Sequence, residues 1–190
     1  MAAKTCFSMP NPVRITGRTS SVTNAFVNGI IPCTKPSDGE ISEVLRILNL
    51  DASDLRCSYC GDRSTEWDHF RPIIKAQRPT GYISEIANLV PACGKCNQSK
   101  GRTDWRQWML GPARLSPKTR GIPDLDARVS RLEQFEAWRE PTKFDFESGA
   151  GKALWAQHWQ NWERLCALMH ECEKTAAEIR TAIAQALKVK

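Results

Sequence analysis

Cys57, Cys60, Cys93 and Cys96 fall into two Cys-x-x-Cys pairs with 32 residues between them. Zinc takes four soft ligands in a tetrahedron, and two such knuckles supply four thiolates with little strain. Gly61 follows the first pair and Gly94 lies within the second, where backbone amides must curl toward sulfur. A structural zinc of this kind contributes on the order of 10 kcal/mol of folding free energy, which suits an irregular hairpin that is marginal alone. The rival chemistry is thiol redox. A thioredoxin-like motif needs only one pair at the start of a helix, however, so two pairs flanking an insert fit a metal better. Cys6, Cys33, Cys166 and Cys172 have no ligand-like spacing and are expected to be ordinary thiols.

The insert carries Glu66-Trp67-Asp68-His69-Phe70-Arg71-Pro72, then Ala87-Asn88-Leu89-Val90-Pro91, and it leads into Cys93-Gly94-Lys95-Cys96-Asn97-Gln98-Ser99-Lys100-Gly101. With the two knuckles, this order resembles the HNH endonuclease family over about residues 57–105. The resemblance implies a β-hairpin and a helix around one catalytic ion, the ββα-metal core. It also implies that His69 is the general base, that Asp68 and Asn97 hold Mg²⁺ or Mn²⁺, and that Asn88 fixes the loop that aims the His69 backbone. Asn97 stands where the family name has its last His, and an amide oxygen there favours a hard ion. Phosphodiester hydrolysis asks for these types: an imidazole to deprotonate water near neutral pH, and oxygen donors for an ion that neutralises phosphate and the departing 3′ oxygen.

The activity implied is hydrolysis of double-stranded DNA to 5′-phosphate and 3′-hydroxyl ends, by a sequence-specific restriction enzyme. A nicking, homing or structure-specific nuclease is the alternative within that chemistry. A zinc-stapled nucleic-acid-binding module that does not cut is the alternative outside it. One geometric objection arises at once. Neighbours in a strand point to opposite faces, so Asp68 and His69 share a site only if it lies over the strand's edge or an irregular end.

The elements around these residues set the fold class as α+β: a zinc-stapled ββα core with surrounding helices. The domain boundaries expected are 1–50 for an N-terminal arm and helix, 51–110 for the nuclease core and 111–190 for a helical C-terminal region. Ser37 or Asp38 can cap a helix over 40–49 with Ile41, Val44, Leu45 and Leu48 on its apolar face. Residues 65–70 and 88–90 read as short strands, the second ended by Pro91, with an irregular loop and the turn signal Pro79-Thr80-Gly81 between them. Residues 97–110 read as helical with a weak point at Gly101, and a helix follows over 124–139. Trp105 and Trp108 are expected in the core.

A last helix over 152–187 would extend about 54 Å. Trp155, His158, Trp162, Leu165, Met169, Cys172, Ala176, Ile179, Ile183 and Ala186 recur along it at alternating spacings of 3 and 4. Its Trp-rich first half is expected to pack on its own domain, and its second half offers a homodimer contact.

Charge agrees with a polyanionic partner. The chain of 190 residues carries 27 Lys and Arg against 21 Asp and Glu, a net +6. Between residues 95 and 120 stand Lys95, Lys100, Arg102, Arg106, Arg114, Lys118 and Arg120, with only Asp104 opposed. Lys100, Arg102 and Arg106, with Arg71 from the insert, are the expected contacts to phosphate. No apolar run is long enough for a membrane span, and no secretory core precedes the chain's first helix, so a cytoplasmic protein is expected. Residues 1–24, basic and without acids, read as a partly extended arm.

Overall fold

The computed structural model describes residues 11–188, which divide into two compact units, residues 27–149 and residues 11–26 with 150–188. The fold is α+β. The first two helices are α1 (Thr19–Asn28) and α2 (Asp38–Leu48). Two short ribbons follow, formed by β1 (Glu66–His69), β2 (Ile74–Lys75), β3 (Arg78–Pro79) and β4 (Leu89–Ala92). The helices α3 (Gly94–Lys100), α4 (Trp105–Met109), α5 (Leu125–Trp138), α6 (Phe146–Ala150) and α7 (Lys152–Lys188) complete the chain.

In the larger unit β1 pairs antiparallel with β4, Glu66 opposite Ala92 and His69 opposite Leu89. The strand expected to stop at Pro91 runs one residue past it. The Phe70 N–H donates to the Asn88 carbonyl two residues beyond Asp68↔Val90, so the pairs in the alternate phase, His69↔Leu89 and Trp67↔Pro91, exchange no hydrogen bonds. A proline costs nothing at such a position, where its nitrogen faces away from the partner strand. Its carbonyl, pointing outward, accepts from the Ser58 N–H of the first knuckle at 2.8 Å.

The loop expected between the strands contains the β2–β3 hairpin. Ala76 and Gln77 both take left-handed backbone angles, φ 48° and 62°, at its two-residue turn. That turn ordinarily advertises itself with Asn-Gly or Asp-Gly, and Ala-Gln carries no such sign.

Ser37 caps α2 in a reciprocal box: its Oγ accepts from the Glu40 N–H, and the Glu40 carboxylate accepts from the Ser37 N–H. Val44, Ile47 and Leu48 face inward, whereas Ile41 stays 39 % exposed. These residues meet Val129, Leu132 and Phe135 of α5, and the two helices close over the hairpin. Phe70 lies stacked on Trp105 with ring centroids 5.1 Å apart, and Phe135 meets it edge-on. Trp108 is likewise buried and meets Tyr59 edge-on. Gly101, with φ 51°, ends α3, and Asp104 starts α4 by accepting from the Gln107 N–H.

The smaller unit corrects the extended arm. A 3₁₀ turn over Ile15–Arg18 runs into α1, and both lie against α7. The Trp162 indole donates to Thr23 Oγ1, His158 Nε2 lies 3.2 Å from the Phe26 carbonyl, and the Glu173 carboxylate accepts from the Thr16 N–H. The Trp162 indole needs a hydrogen-bonding cover, and Thr23 of α1 supplies it. Residues 1–10 of the arm lie outside the described residues. The covered line of α7 follows the expected seam at Trp155, His158, Trp162, Met169 and Ala176, but Trp159 is buried beside it, and Cys166 and Glu173 are partly covered where the seam had Leu165, 38 % exposed, and Cys172. Ile179, Ile183 and Leu187, on the second half, are more than half exposed at 54, 56 and 68 %.

Candidate metal centre and nuclease site

The four knuckle cysteines converge. Their sulfurs lie within 4.8 Å of one another and all four residues are buried. A tetrahedral ion with metal–sulfur bonds of about 2.3 Å needs sulfurs about 3.8 Å apart; Cys60 and Cys93 stand at 3.6 Å. The donor set fits a soft tetrahedral ion such as zinc. Donation from the Cys57 and Cys96 thiols pulls Cys60 far below the usual thiol range, and Cys57, as donor to Cys60, is pushed up to about 12.

Two guanidinium groups from beyond the knuckles lean on this cluster. Arg120 donates to Cys96 Sγ at 3.5 Å and to Asp62 at 2.9 Å. Arg128 of α5 donates to the Cys57 carbonyl at 3.2 Å. Gly61 admits it: φ is +81°, and a Cβ there would lie 2.5 Å from the Arg128 guanidinium.

β1 alternates as a regular strand must. Glu66 and Asp68 face α3, and Trp67 and His69 face the other way. Asp68 is 4 % exposed, accepting from the Tyr59 hydroxyl at 2.6 Å and pairing with Lys100 Nζ at 3.0 Å. Burial raises its carboxyl above the ordinary range, opposed by Lys100 and Tyr59. Desolvation, then the charge of Asp68, raises the Tyr59 phenol. Lys100, expected at a phosphate, is 1 % exposed and donates to Asp68 and to the His69 carbonyl. Its role is internal: four methylenes and an ammonium closed inside the core cannot reach a nucleic-acid backbone.

Asn97 follows the ligand Cys96 directly, and its Nδ2 donates to Glu66 Oε2 at 2.6 Å. Asp68 and Asn97 therefore share the α3-facing side of β1, while His69 stands on the opposite side. The His69 Nε2 lies 2.7 Å from Ser84 Oγ. Burial, reinforced by the charge of Lys100, pushes its pKa down to about 4, so the ring is neutral at pH 7. Asn88 is fully buried and staples the backbone just past His69: Oδ1 accepts from the Arg71 N–H at 2.7 Å and Nδ2 donates to the Arg71 carbonyl at 3.2 Å.

This hairpin, helix and knuckle pair is the segment that the family model for HNH endonuclease matches, over residues 57–103. Residues 57–103 are an HNH endonuclease domain. The chain is also 33 % identical over 78 residues to the CRISPR-associated endonuclease Cas9 of Corynebacterium diphtheriae, a match covering 39 % of this chain and 6 % of that protein. No solved structure matches the chain.

Around the HNH domain the expected basic contacts separate into two kinds. Arg71 pairs with Glu136 and Glu140, and Arg106 with Glu133, so both are engaged within the fold. Arg102 is exposed, as are Lys95, Arg114 and Lys118, and among the described residues none of the four has an ion pair. Tyr59, Glu66 and Ser84 are the side chains at the site that the sequence did not single out. Period-two alternation from Asp68 marks Glu66; Tyr59 sits inside a knuckle; Ser84 has no local sign. No helix among the described residues is long and apolar enough to cross a membrane.

Proposed function

We propose that the protein is a metal-dependent endonuclease acting on double-stranded DNA, sequence-specific in the manner of a restriction enzyme, with zinc in the four-thiol site. The observation that supports this reading is that Asp68 on β1 and Asn97 on α3, two oxygen donors, lie on the same side of the strand beside a buried four-sulfur cluster. Asp68 and Asn97 would hold Mg²⁺ or Mn²⁺, which when bound neutralises the phosphate and the departing 3′ oxygen. A carboxylate has about four lone-pair sites, so Asp68 can offer one to the ion while Tyr59 and Lys100 keep theirs.

His69 is the last residue of β1, so a phosphate lying over that end of the strand would meet both its ring and the Asp68 side, and there His69 would take the proton of the attacking water. Its bond to Ser84 engages Nε2 and leaves Nδ1 to act, and Asn88 holds the following peptide. A phosphate beside the ring raises its pKa from about 4 toward the working range. The exposed Lys95, in the first turn of α3, and Arg102, just past its end, suit the phosphate backbone. The exposed line Ile179, Ile183 and Leu187 suits a homodimer through α7, which would bring two centres to the two strands.

A second reading has one observation in its favour: the Asp68 carboxylate is already neutralised by Lys100, as in a zinc-stapled binding module that does not cut. Incubation of the protein with plasmid and Mg²⁺ separates the two. The nuclease reading expects discrete fragments, and expects His69→Ala to bind DNA with unchanged affinity while cleaving at least about 100-fold more slowly. Intact plasmid with the unaltered protein would overturn it.

A further inference from the structure

An amide is an ambiguous metal ligand, because one end offers an acceptor oxygen and the other two N–H donors that repel a cation. What turns Asn97 the right way lies on β1. Its side-chain contact at 2.6 Å is with a carboxylate oxygen of Glu66, which can only accept, so the amide nitrogen must face Glu66 and Oδ1 must face away. Glu66 is two residues before Asp68 on the same strand face, and both look toward α3. Its place there is built. A Cβ on Gly94 would lie 2.9 Å from Glu66 Oε1, so the missing side chain at the second knuckle makes room for this carboxylate along the first turn of α3. Asn97 itself is held by the turn that carries Cys96, with its N–H on the Cys93 carbonyl at 3.0 Å. Among the described residues Glu66 pairs with no Lys or Arg, so the Asn97 amide is its polar partner on this face.

We infer that Glu66 is a positioning residue for the catalytic ion: by accepting from Asn97 Nδ2 it orients the amide so that Oδ1, not the NH₂ group, is presented to a divalent cation. The inference rests on the reading of Asn97 as a ligand. Partners that orient metal ligands typically change metal affinity about 10–100-fold when removed.

The test is Mn²⁺ binding to the zinc-loaded full chain, followed by the electron paramagnetic resonance of free Mn²⁺, without DNA and without turnover. Glu66→Ala is expected to weaken Mn²⁺ about 10–100-fold, and Glu66→Gln, which keeps an acceptor oxygen, by less. In an Asn97→Asp background both ends of the side chain are oxygens, so Glu66→Ala is expected to have no unfavourable effect. Equal losses on Glu66→Ala with and without the Asn97→Asp substitution would make Glu66 a direct ligand and overturn the inference. No loss in Glu66→Ala, with Asn97→Ala still abolishing binding, would overturn it while leaving the site reading intact. Undiminished Mn²⁺ binding in Asn97→Ala would remove the site reading and the inference together.

Discussion

Replacing Lys100 by Met tests whether this lysine belongs to the interior or to the nucleic-acid surface. Its side chain is fully buried, its ammonium lies 3.0 Å from an Asp68 oxygen, and Asp68 is itself 5 % exposed at the side chain. Removing one partner of such a pair leaves an uncompensated buried charge, at a cost of about 3–5 kcal/mol. That is a large part of the roughly 5–15 kcal/mol by which domains are stable. Tyr59 continues to donate to Asp68, which sets the expectation at the lower end of the range.

The loss should depend on pH with a definite sign. Without Lys100 the folded-state carboxyl of Asp68, already raised by burial, rises further above its unfolded value. The folded state then binds the extra proton, so the variant's deficit is greatest at neutral pH and shrinks as pH falls toward the ordinary carboxylate range. Urea unfolding at saturating zinc, followed by circular dichroism at about pH 7 and about pH 5, measures both the size and the sign. Adding Asp68→Asn should recover much of the stability, because the neutral amide still accepts from Tyr59. A deficit within about 0.5 kcal/mol, the ordinary range of surface substitutions, would refute the reasoning. Coupled to a weakened and less salt-dependent DNA affinity, that result would return Lys100 to the phosphate contact.

Three other outcomes follow from the geometry. His69 has a folded pKa of about 4, below its unfolded value near 6.5, so the unfolded state binds more protons between those values. The protein should lose stability as pH falls through that window, and His69→Gln should flatten the loss in urea midpoints measured across it. Removing zinc with a strong chelator, or replacing Cys93 by Ala, should abolish the cooperative unfolding of the larger unit, since a structural zinc supplies on the order of 10 kcal/mol; one ion per chain by elemental analysis checks the stoichiometry. Ile183→Glu, at a position 56 % exposed, should turn a dimer into a monomer by light scattering with the thermal midpoint of the larger unit unchanged.

Much of the site was legible because metal and strand geometry impose short periods on a chain. A Cys-x-x-Cys pair is a local requirement of sulfur ligation, and the four thiols meet as the spacing implies. The alternation of β1 made the divergence of Asp68 and His69 foreseeable, and the structure has it: one against Lys100, the other against Ser84. Glu66 was also within reach of that alternation. The 3–4 pattern of α7 marked a long helix and most of its covered line, but a 3.6-residue turn drifts against a 3.5-residue seam, so single positions shift by one residue. Cys166 and Glu173 are partly covered where the seam has Leu165 and Cys172.

Ligand types, strand alternation and helix caps act over two to four residues, and those features of this protein could be read along the chain. Which charges are spent inside the fold could not, because pairing depends on groups far apart in sequence. Lys100 meets Asp68 across 32 residues and Arg71 meets Glu140 across 69. A lysine looks the same in sequence whether a carboxylate or a phosphate awaits it. Only the packing of α3 on β1, which removes water from the ammonium and leaves a carboxylate as its sole counter-charge there, decides that this one points inward.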